Sequence, residues 1–318
     1  MAGTPVQPPF AMTVSAEARA VMEPLLKGQG APEITATLMR NPLTRAGIRL
    51  AVTQQAKPLV KARARRFGVT VGKARIAGVP VRLVRKQGID PAAENRLLIN
   101  FHGGGFMLDA GSLTETIPLA GLTGIPTIAV LYRMAPEHPF PAAVDDALAV
   151  YRDALAQRPA SAIGVFGTSA GAVLTLQLLA RIKAQGLPMP AAAGVFSGAG
   201  DLGMVGDCEA YLPPIMGART ASETLDEYCA DTPRDNPLLS PQLGDLTGLP
   251  PTMLMTSTRD QLLSHTILVD LALRRAGVAV DLRVYEGMAH AFWGWIDCPE
   301  SEIALAAQAE FFTGHLAR

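Results

Sequence analysis

The sequence lacks an excess of charge of either sign, with 28 Lys and Arg residues against 28 Asp and Glu residues. A chain without net charge has no general attraction for nucleic acid or for an anionic membrane surface. It also lacks any apolar run near the ~20 residues that a membrane span needs. Residues 1–10 hold three prolines and no basic residue, unlike a secretory signal. We therefore expect a soluble protein with no nucleic-acid partner and no membrane span.

Cysteine is scarce as well. Cys208, Cys229 and Cys298 form an odd set without C-x-x-C spacing. Free thiols are typical of a reducing compartment, which predicts a cytoplasmic location. The sequence has no H-E-x-x-H helix and no Cys/His cluster with ligand spacing. We therefore expect neither a metal nor a cofactor.

What the sequence does contain is a regular alternation of strand and helix patterns after a helical beginning. Residues 1–68 have helical patterns broken by prolines, and we predict that they form a cap segment. A hairpin is predicted at 69–76 and 79–84, and further strands at 97–101, 127–132, 162–166, 191–196, 252–256 and 278–285. Helices are predicted at 114–123, 142–157, 172–185, 262–276 and 301–316. This pattern predicts an α/β domain over 69–318, with a mostly parallel sheet covered by helices on both faces.

Two segments depart from that alternation. Residues 201–248 are rich in Pro and Gly and are too long for a simple βα connection. We expect this insertion to join residues 1–68 in a cap over the carboxyl ends of the strands. The end of the amino-terminal segment is basic, with Lys57, Lys61, Arg63, Arg65 and Arg66. Because the net charge of the chain is zero, we favour a solvated helix face there over a nucleic-acid patch.

A short apolar strand leads into Gly167-Thr168-Ser169-Ala170-Gly171, which fits G-x-S-x-G, the nucleophile elbow of α/β-hydrolases. Small residues two positions before and after Ser169 allow the strand and the following helix to approach closely. The amino terminus of that helix would direct its dipole at negative charge developing near Ser169. Glycine is abundant, with 30 in 318 residues, so a tight turn in an ordinary sheet is the alternative.

Three consecutive glycines follow the predicted strand at 97–101, in His102-Gly103-Gly104-Gly105. An HGGG loop upstream of G-x-S-x-G is the arrangement of lipases and esterases, whose backbone N–H groups stabilise an oxyanion. We predict that Gly103, Gly104 and Ala170 supply these donors. A flexible glycine-rich turn is the alternative interpretation.

A serine nucleophile needs a general base and an acid that orients it, in the chain order serine, acid, histidine. Among five histidines, His290 is favoured because it follows the predicted strand at 278–285, whereas His265 lies in a predicted helix. Asp260 follows the strand at 252–256, and Asp297 and Glu286 are the next acids to test. We predict that Ser169, Asp260 and His290 form a catalytic triad at one rim of the sheet.

The order of these motifs resembles the hormone-sensitive-lipase-like esterases, bacterial lipolytic family IV of the α/β-hydrolase superfamily. The resemblance covers residues 65–318 and includes HGGG at 102–105, YRMAPEHPFPAAVDD at 132–146, the elbow, and GMAHAF at 287–292. It implies the α/β-hydrolase fold with a helical cap, triad roles for Ser169, Asp260 and His290, and esters of short to medium acyl chains as substrates. It also implies a homodimer, for which the sequence suggests no interface.

Two departures from the family pattern stand out. The elbow carries Thr168 where Asp is commoner, which places the chain nearer the branch written GTSAG. The acid segment often reads D-P-L-R-D-E but here reads D-Q-L-L-S-H at 260–265, so Asp260 is kept and the later acids are not. Glu137 and Asp145, within the 132–146 motif, are interpreted as structural residues in hydrogen bonds or ion pairs.

Other functions compete with an esterase. Residues 198–203 match G-x-G-x-x-G after an apolar strand, as in a Rossmann oxidoreductase, but no good helix pattern follows. A non-catalytic small-ligand receptor of the same fold is disfavoured by the presence of His290. An amidase, deacetylase or lactonase would use the same triad, and the sequence does not separate these from an esterase.

Overall fold

The computed structural model describes residues 12–27, 38–90, 94–212 and 225–317. Within them the strands form one eight-stranded sheet in the order β1-β2-β4-β3-β5-β6-β7-β8. The strands are β1 Val69–Ile76, β2 Val79–Lys86, β3 Leu97–Phe101, β4 Thr127–Val130, β5 Ile163–Thr168, β6 Ala192–Phe196, β7 Thr252–Arg259 and β8 Val280–Ala289. β2 is antiparallel to β1 and β4, whereas the other neighbours are parallel. The predicted α/β fold with a mostly parallel sheet is confirmed.

In the described ranges, two α-helices precede the sheet, five lie between its strands and two follow it, in agreement with the predicted alternation. They are α1 Ala16–Lys27, α2 Pro42–Phe67, α3 Ser112–Thr123, α4 Ala142–Gln157, α5 Ala170–Ala184, α6 Asp226–Cys229, α7 Leu263–Arg275, α8 Phe292–Trp295 and α9 Pro299–His315. None of the helices in the described ranges is both long and apolar enough to cross a membrane.

The sheet is covered on both faces, and the alternation of side chains along β3 shows how. Leu97, Ile99 and Phe101 belong to one core cluster, which includes residues of α4, α5 and α7. Leu98 belongs to a second cluster, with residues of α3 and α9. Because successive side chains of a strand point to opposite faces, a strand buried on both faces is mostly apolar, as β3 is except at Asn100.

Helix α2 contacts the α/β domain through charged side chains. Arg63, which sequence analysis placed on a solvated basic face, is buried with 1% of its side chain exposed. Its guanidinium donates to the carboxylate of Asp297 at 2.7 Å and to the backbone oxygens of Thr114 and Gly294. The prediction of a solvated face is therefore wrong for Arg63, because these long-range acceptors satisfy its charge and N–H groups.

The insertion at 201–248 lies partly outside the described residues, which omit 213–224. Its Tyr228, in α6, stacks on Phe106 with ring centroids 3.5 Å apart. The Tyr228 hydroxyl donates to Gln177 of α5 at 2.6 Å, and its backbone oxygen accepts from Phe140 N–H. The insertion is thus fixed to the loop that follows the HGGG motif and to the helix that follows Ser169.

Candidate active site

Ser169 is the single residue between β5 and α5. The sequence pattern predicts a strand to 166 and a helix from 172, so the turn is sharper than expected. The serine has φ 58° and ψ −121°, a conformation that costs free energy in a non-glycine residue and concentrates at functional sites. A hydrogen bond from its N–H to Phe196 O (2.9 Å) holds the turn. Ser169 is only half-buried, which leaves its hydroxyl accessible at the carboxyl end of β5.

The two glycines of the elbow are required by close backbone contacts. A Cβ on Gly171 would lie 1.8 Å from Phe101 O, and one on Gly167 would lie 2.3 Å from Gly171 O. Both distances are far below van der Waals contact. The motif therefore has glycine at these positions because strand β3, strand β5 and helix α5 meet there without space for side chains.

His290 and Asp260 are directly hydrogen bonded, with 2.8 Å between His290 Nδ1 and Asp260 Oδ1. Each is the first residue after its strand, since β7 extends to Arg259 and β8 to Ala289, beyond the predicted ends. Together with Ser169 they lie at the carboxyl ends of β5, β7 and β8, on one edge of the sheet. The strands thus deliver all three predicted residues to that edge.

Asp260 is completely buried and is held as an acceptor. It receives hydrogen bonds from Leu262 N–H at 2.9 Å and from the Thr256 hydroxyl at 3.1 Å. Burial by itself raises the pKa of Asp260, but the charge of His290 and the hydrogen bonds outweigh it, so the pKa lies below its ordinary value. The carboxylate is therefore ionised and suited to orient an imidazole and to stabilise an imidazolium.

The His290 ring is oriented by its surroundings. Asp260 engages Nδ1, which leaves Nε2 for proton transfer. Trp295 Nε1 donates to His290 O at 3.0 Å, and Ala291 adopts left-handed backbone at φ 54°. Within the described part of the chain, no hydrogen bond joins the His290 ring to the Ser169 hydroxyl. Such bonds are often long without substrate and shorten when it binds.

The HGGG loop passes beside Ser169. A Cβ on Gly103 would lie 3.0 Å from Thr168 O and 3.3 Å from Ser169 Cβ, closer than ordinary van der Waals contact, so glycine packs there with the least displacement of its neighbours. Among the described residues, no acceptor pairs with the N–H groups of Gly103, Gly104 or Ala170. Tyr132 holds the start of this loop in place. Its ring stacks on His102 with centroids 4.2 Å apart, and its hydroxyl donates to His102 O. These three N–H groups are therefore free to donate to a ligand.

The other acids considered from the sequence lie apart from the imidazole. Asp297 pairs with Arg63, and Glu286 accepts from the Thr13 hydroxyl. Glu137 pairs with Arg45 and Arg49, and Asp145 pairs with Arg181, in agreement with their interpretation as structural residues. In residues 198–203, no α-helix begins in the described chain, contrary to a Rossmann fingerprint.

His265 explains part of the departure in the 260–265 segment. Its Nε2 lies 2.6 Å from a carboxylate oxygen of Glu209, and both side chains are at most 2% exposed. Glu209 belongs to the insertion, whereas His265 lies in α7. His265 therefore contacts an acid on another segment, and the pair connects the insertion to the domain.

Sequence reasoning missed Glu115, a fully buried carboxyl in α3. It accepts a hydrogen bond from Asn100 Nδ2 of β3 at 3.2 Å. Burial raises its pKa from 4.5 to about 8, more than the hydrogen bonds from Asn100 and Thr168 lower it. The signal available in the sequence was a single acid within the otherwise uncharged α3 segment SLTETIPLAGLT.

No group of three or more His, Cys, Asp or Glu side chains in the described ranges has the arrangement of a metal site. The site therefore consists of a strained serine, an imidazole-carboxylate pair and free backbone donors, all at one sheet edge. Groups of this kind suit nucleophilic attack on a carbonyl carbon with stabilisation of the resulting oxyanion.

Comparison with known proteins agrees with this geometry. Residues 98–294 match the family described as alpha/beta hydrolase fold. An acetyl-hydrolase of Streptomyces hygroscopicus is 32% identical over 232 residues, which are 70% of this chain and 77% of that protein. A crystal structure of an esterase superposes with a TM-score of 0.81 at 32% identity, covering 98% of both chains.

A crystal structure of an esterase from the bacterial hormone-sensitive lipase family superposes with a TM-score of 0.73 at 28% identity, covering 79% of this chain and 86% of the other. The family match spans more than half of the chain. The chain belongs to the α/β-hydrolase-fold family, within the ester hydrolases of the hormone-sensitive lipase type.

Proposed function

We propose that the protein is a serine carboxylesterase that hydrolyses short- to medium-chain carboxylic esters through an acyl-enzyme on Ser169. The observation that carries the proposal is the 2.8 Å hydrogen bond between His290 and buried Asp260, beside the strained Ser169 at the same sheet edge. The name of the acetyl-hydrolase relative supports a short acyl group.

In the proposed mechanism, His290 Nε2 accepts the hydroxyl proton as Ser169 Oγ attacks the ester carbonyl. The N–H groups of Gly103, Gly104 and Ala170 donate to the oxyanion of the tetrahedral intermediate. His290 then protonates the leaving alkoxide, and water attacks the acyl-enzyme by the same route. Ionised Asp260 keeps the Nδ1–H tautomer of His290 and stabilises its positive charge.

We also propose that residues 1–68 and the 201–248 insertion form the cap. Arg49 of α2 donates to the backbone oxygens of Met107 and Ala135, and Tyr228 of the insertion stacks on Phe106. Both contacts lie on segments that follow the carboxyl ends of β3 and β4. They support a cap that lies over the edge carrying Ser169.

For location and assembly, we propose a cytoplasmic homodimer. Cys208, Cys229 and Cys298 are all buried and unpaired, which supports a reducing compartment. In the described sheet β8 is an edge strand, and its Val284 is 45% exposed, which supports pairing with a second copy. Size-exclusion chromatography with light scattering would test the dimer directly.

The proposed activity is tested with p-nitrophenyl esters of increasing acyl length, alongside the corresponding anilides and a series of lactones. We expect the acetate and butyrate esters to be cleaved fastest and paraoxon to abolish activity. Peptide mass spectrometry should locate the diethyl phosphate on Ser169. Ser169→Ala should be inactive and unlabelled, and Ser161→Ala, at an exposed position, serves as the matched control.

Faster cleavage of the anilides or lactones would replace the esterase assignment with an amidase or lactonase that uses the same residues. Ligand binding without turnover or labelling by paraoxon would indicate a receptor instead. Full activity in Ser169→Ala would contradict the mechanism itself.

A further inference from the structure

The guanidinium of Arg49 links helix α2 to the loop that follows the HGGG motif. Its Nε donates to Met107 O at 2.7 Å, and its Nη2 donates to Ala135 O at 2.9 Å. These carbonyls belong to two different loops, one after β3 and one after β4. A single side chain of the amino-terminal segment therefore fixes two loops at the edge where Ser169 lies.

The Met107 carbonyl belongs to the same turn as the predicted oxyanion donors. Met107 N–H donates to Gly104 O at 3.0 Å, and Ala110 N–H donates to Gly103 O at 3.1 Å. The carbonyls of both glycines are thus used inside the loop, whereas their N–H groups have no acceptor in the described chain. The Gly103 carbonyl shares its peptide unit with the Gly104 N–H, and the Gly104 carbonyl lies in the next unit. Movement of Met107 would therefore reach the Gly104 donor through the backbone of Gly104.

Ala135 is hydrogen bonded both to Arg49 and to the turn that contains Met107. Ala135 N–H donates to Phe106 O at 2.9 Å, next to Met107, while Ala135 O accepts from Arg49. Phe106 has left-handed backbone at φ 59°, which a non-glycine residue adopts only at some cost in free energy. The Arg49 guanidinium and the Ala135 backbone therefore stabilise a turn that contains a strained residue.

Glu137 fixes the orientation of the guanidinium. Its two carboxylate oxygens accept from Arg49 Nη1 and Nη2, each at 3.0 Å, in a bidentate pair. Arg45 Nε donates to the same carboxylate at 3.0 Å. Partial burial raises the pKa of Glu137, but the hydrogen bonds from Arg49 and Arg45 outweigh it and hold the pKa below its ordinary value. The Glu137 carboxylate is therefore ionised in the folded protein at neutral pH.

We propose that Arg49 is a positioning residue for the oxyanion hole. It holds the Gly103 and Gly104 N–H groups in place for the tetrahedral intermediate without touching the substrate. Oxyanion donors stabilise the transition state only when they are oriented in advance, so an anchor of this loop acts on kcat more than on substrate binding. This inference rests on the proposed esterase function.

The geometry requires arginine at this position. The planar fork of a guanidinium donates in three directions at once, here to two carbonyls and a carboxylate. A lysine ammonium at Arg49 would keep the positive charge near Glu137 but would not reach both carbonyls in one conformation. Arg49→Lys therefore removes the loop contact while the ion pair is largely kept.

Arg45 offers a matched control. It pairs with the same Glu137 carboxylate, but its remaining hydrogen bonds go to Met39 O and Arg40 O and not to the HGGG loop. Arg45→Lys thus perturbs the same ion pair and the same helix without touching the oxyanion loop. Any effect common to both variants reports on the stability of α2 and not on the loop.

The experiment measures kcat and KM for p-nitrophenyl acetate, and the inhibition constant of a trifluoromethyl ketone, whose serine adduct carries an oxyanion. For Arg49→Lys we expect kcat to fall about 10- to 100-fold with KM within about twofold, because removal of a whole donor costs about 10²- to 10³-fold. Trifluoromethyl ketone inhibition should weaken by a similar factor. For Arg45→Lys both constants should stay within about threefold of the wild type, and thermal melts check that each variant is folded.

An unchanged kcat in folded Arg49→Lys, or an equal loss in Arg45→Lys, would overturn the positioning role. A rise in KM with unchanged kcat and unchanged ketone inhibition would do the same, since it would assign Arg49 to substrate access. These outcomes differ from failure of the proposed function, in which the wild type itself shows no ester hydrolysis and no Ser169 labelling.

Discussion

His290 Nδ1 lies 2.8 Å from a carboxylate oxygen of Asp260, and the two residues stand immediately after neighbouring parallel strands. The pairing of β7 with β8 shifts register between Ser257 and Arg259, which brings Arg259 opposite Ala289, so the next residue of each strand leaves the sheet at the same level. The hydrogen bond thus depends on this irregularity in the pairing. Restoring regular register would separate His290 from Asp260.

Replacement of Asp260 by Asn should lower kcat about 10⁴-fold, because the amide stabilises the wrong imidazole tautomer and cannot stabilise the imidazolium. Steady-state kinetics with p-nitrophenyl acetate measures the effect. Glu286→Gln is the control, since Glu286 is exposed and was the alternative acid in the sequence. A comparable loss in Glu286→Gln, or near-full activity in Asp260→Asn, would show that another carboxylate orients His290.

The positions of the candidate site residues could be predicted because they follow strand ends. Parallel strands place their carboxyl ends on one edge, so the strand patterns, the G-x-S-x-G motif and the chain order serine, acid, histidine placed Ser169, Asp260 and His290 there. The need for glycine in the elbow could also be predicted from the motif, because the close approach of the backbone leaves no room for a side chain at Gly171. Local signals of this kind do not require knowledge of distant contacts.

The sequence did not predict features that depend on distant partners. Arg63 lies in a charged helix and looked solvated, yet its acceptor Asp297 is 234 residues away in the chain. The anchoring role of Arg49 depends in the same way on carbonyls contributed by two loops. Glu115 is buried because α2, α9 and the sheet pack around α3, which no pattern within α3 reveals.

Gly171→Ala should destabilise the fold by about 3 kcal/mol or more, since its Cβ would lie 1.8 Å from Phe101 O and backbone atoms would have to move. Urea unfolding followed by circular dichroism measures this change. Gly47→Ala in α2 is the matched control, because a Cβ there meets nothing within 4 Å. It should stabilise the protein by up to about 1 kcal/mol through helix propensity. Equal midpoints for the two variants would contradict the packing argument.

Glu115 should make stability depend on pH. Burial raises its pKa from 4.5 to about 8, although Asn100 and Arg63 act in the opposite direction and Asp109 adds to the rise. Between these values the unfolded chain loses the proton while the folded protein keeps it. The folded state then binds more protons than the unfolded chain. The contribution of Glu115 to the free energy of unfolding therefore falls as pH rises, by up to about 1.4 kcal/mol per pH unit.

Glu115→Gln should remove this component of the pH dependence, because the amide stays neutral and keeps the shape of the protonated acid. Urea midpoints measured between pH 5 and about 8.5 for the wild type and the variant provide the comparison. Glu310→Gln, at an exposed position, should leave the slope unchanged. Parallel curves for the wild type and Glu115→Gln would show that Glu115 is ionised in the folded protein.

The buried His265–Glu209 pair should connect the insertion to helix α7 energetically. Both side chains are at most 2% exposed, and their atoms lie 2.6 Å apart, so removal of one side chain leaves the other buried without this contact. His265→Leu and Glu209→Gln should each lower the free energy of unfolding by about 3 kcal/mol. The double variant should lose less than the sum, with a coupling of at least about 1 kcal/mol in a double-mutant cycle.

The Glu209 substitution in this double-mutant cycle affects a second contact, because Glu209 also accepts from Gly206 N–H at 2.6 Å. Glu209→Gln keeps an acceptor oxygen for that N–H, which is why Gln is preferred to Ala there. Additive losses would mean that the two side chains contribute independently and that the insertion is held by its other contacts, such as Tyr228 on Phe106. A positive coupling would instead place the connection between insertion and α7 in the segment directly after Asp260, where the family pattern has acids and this chain has His265.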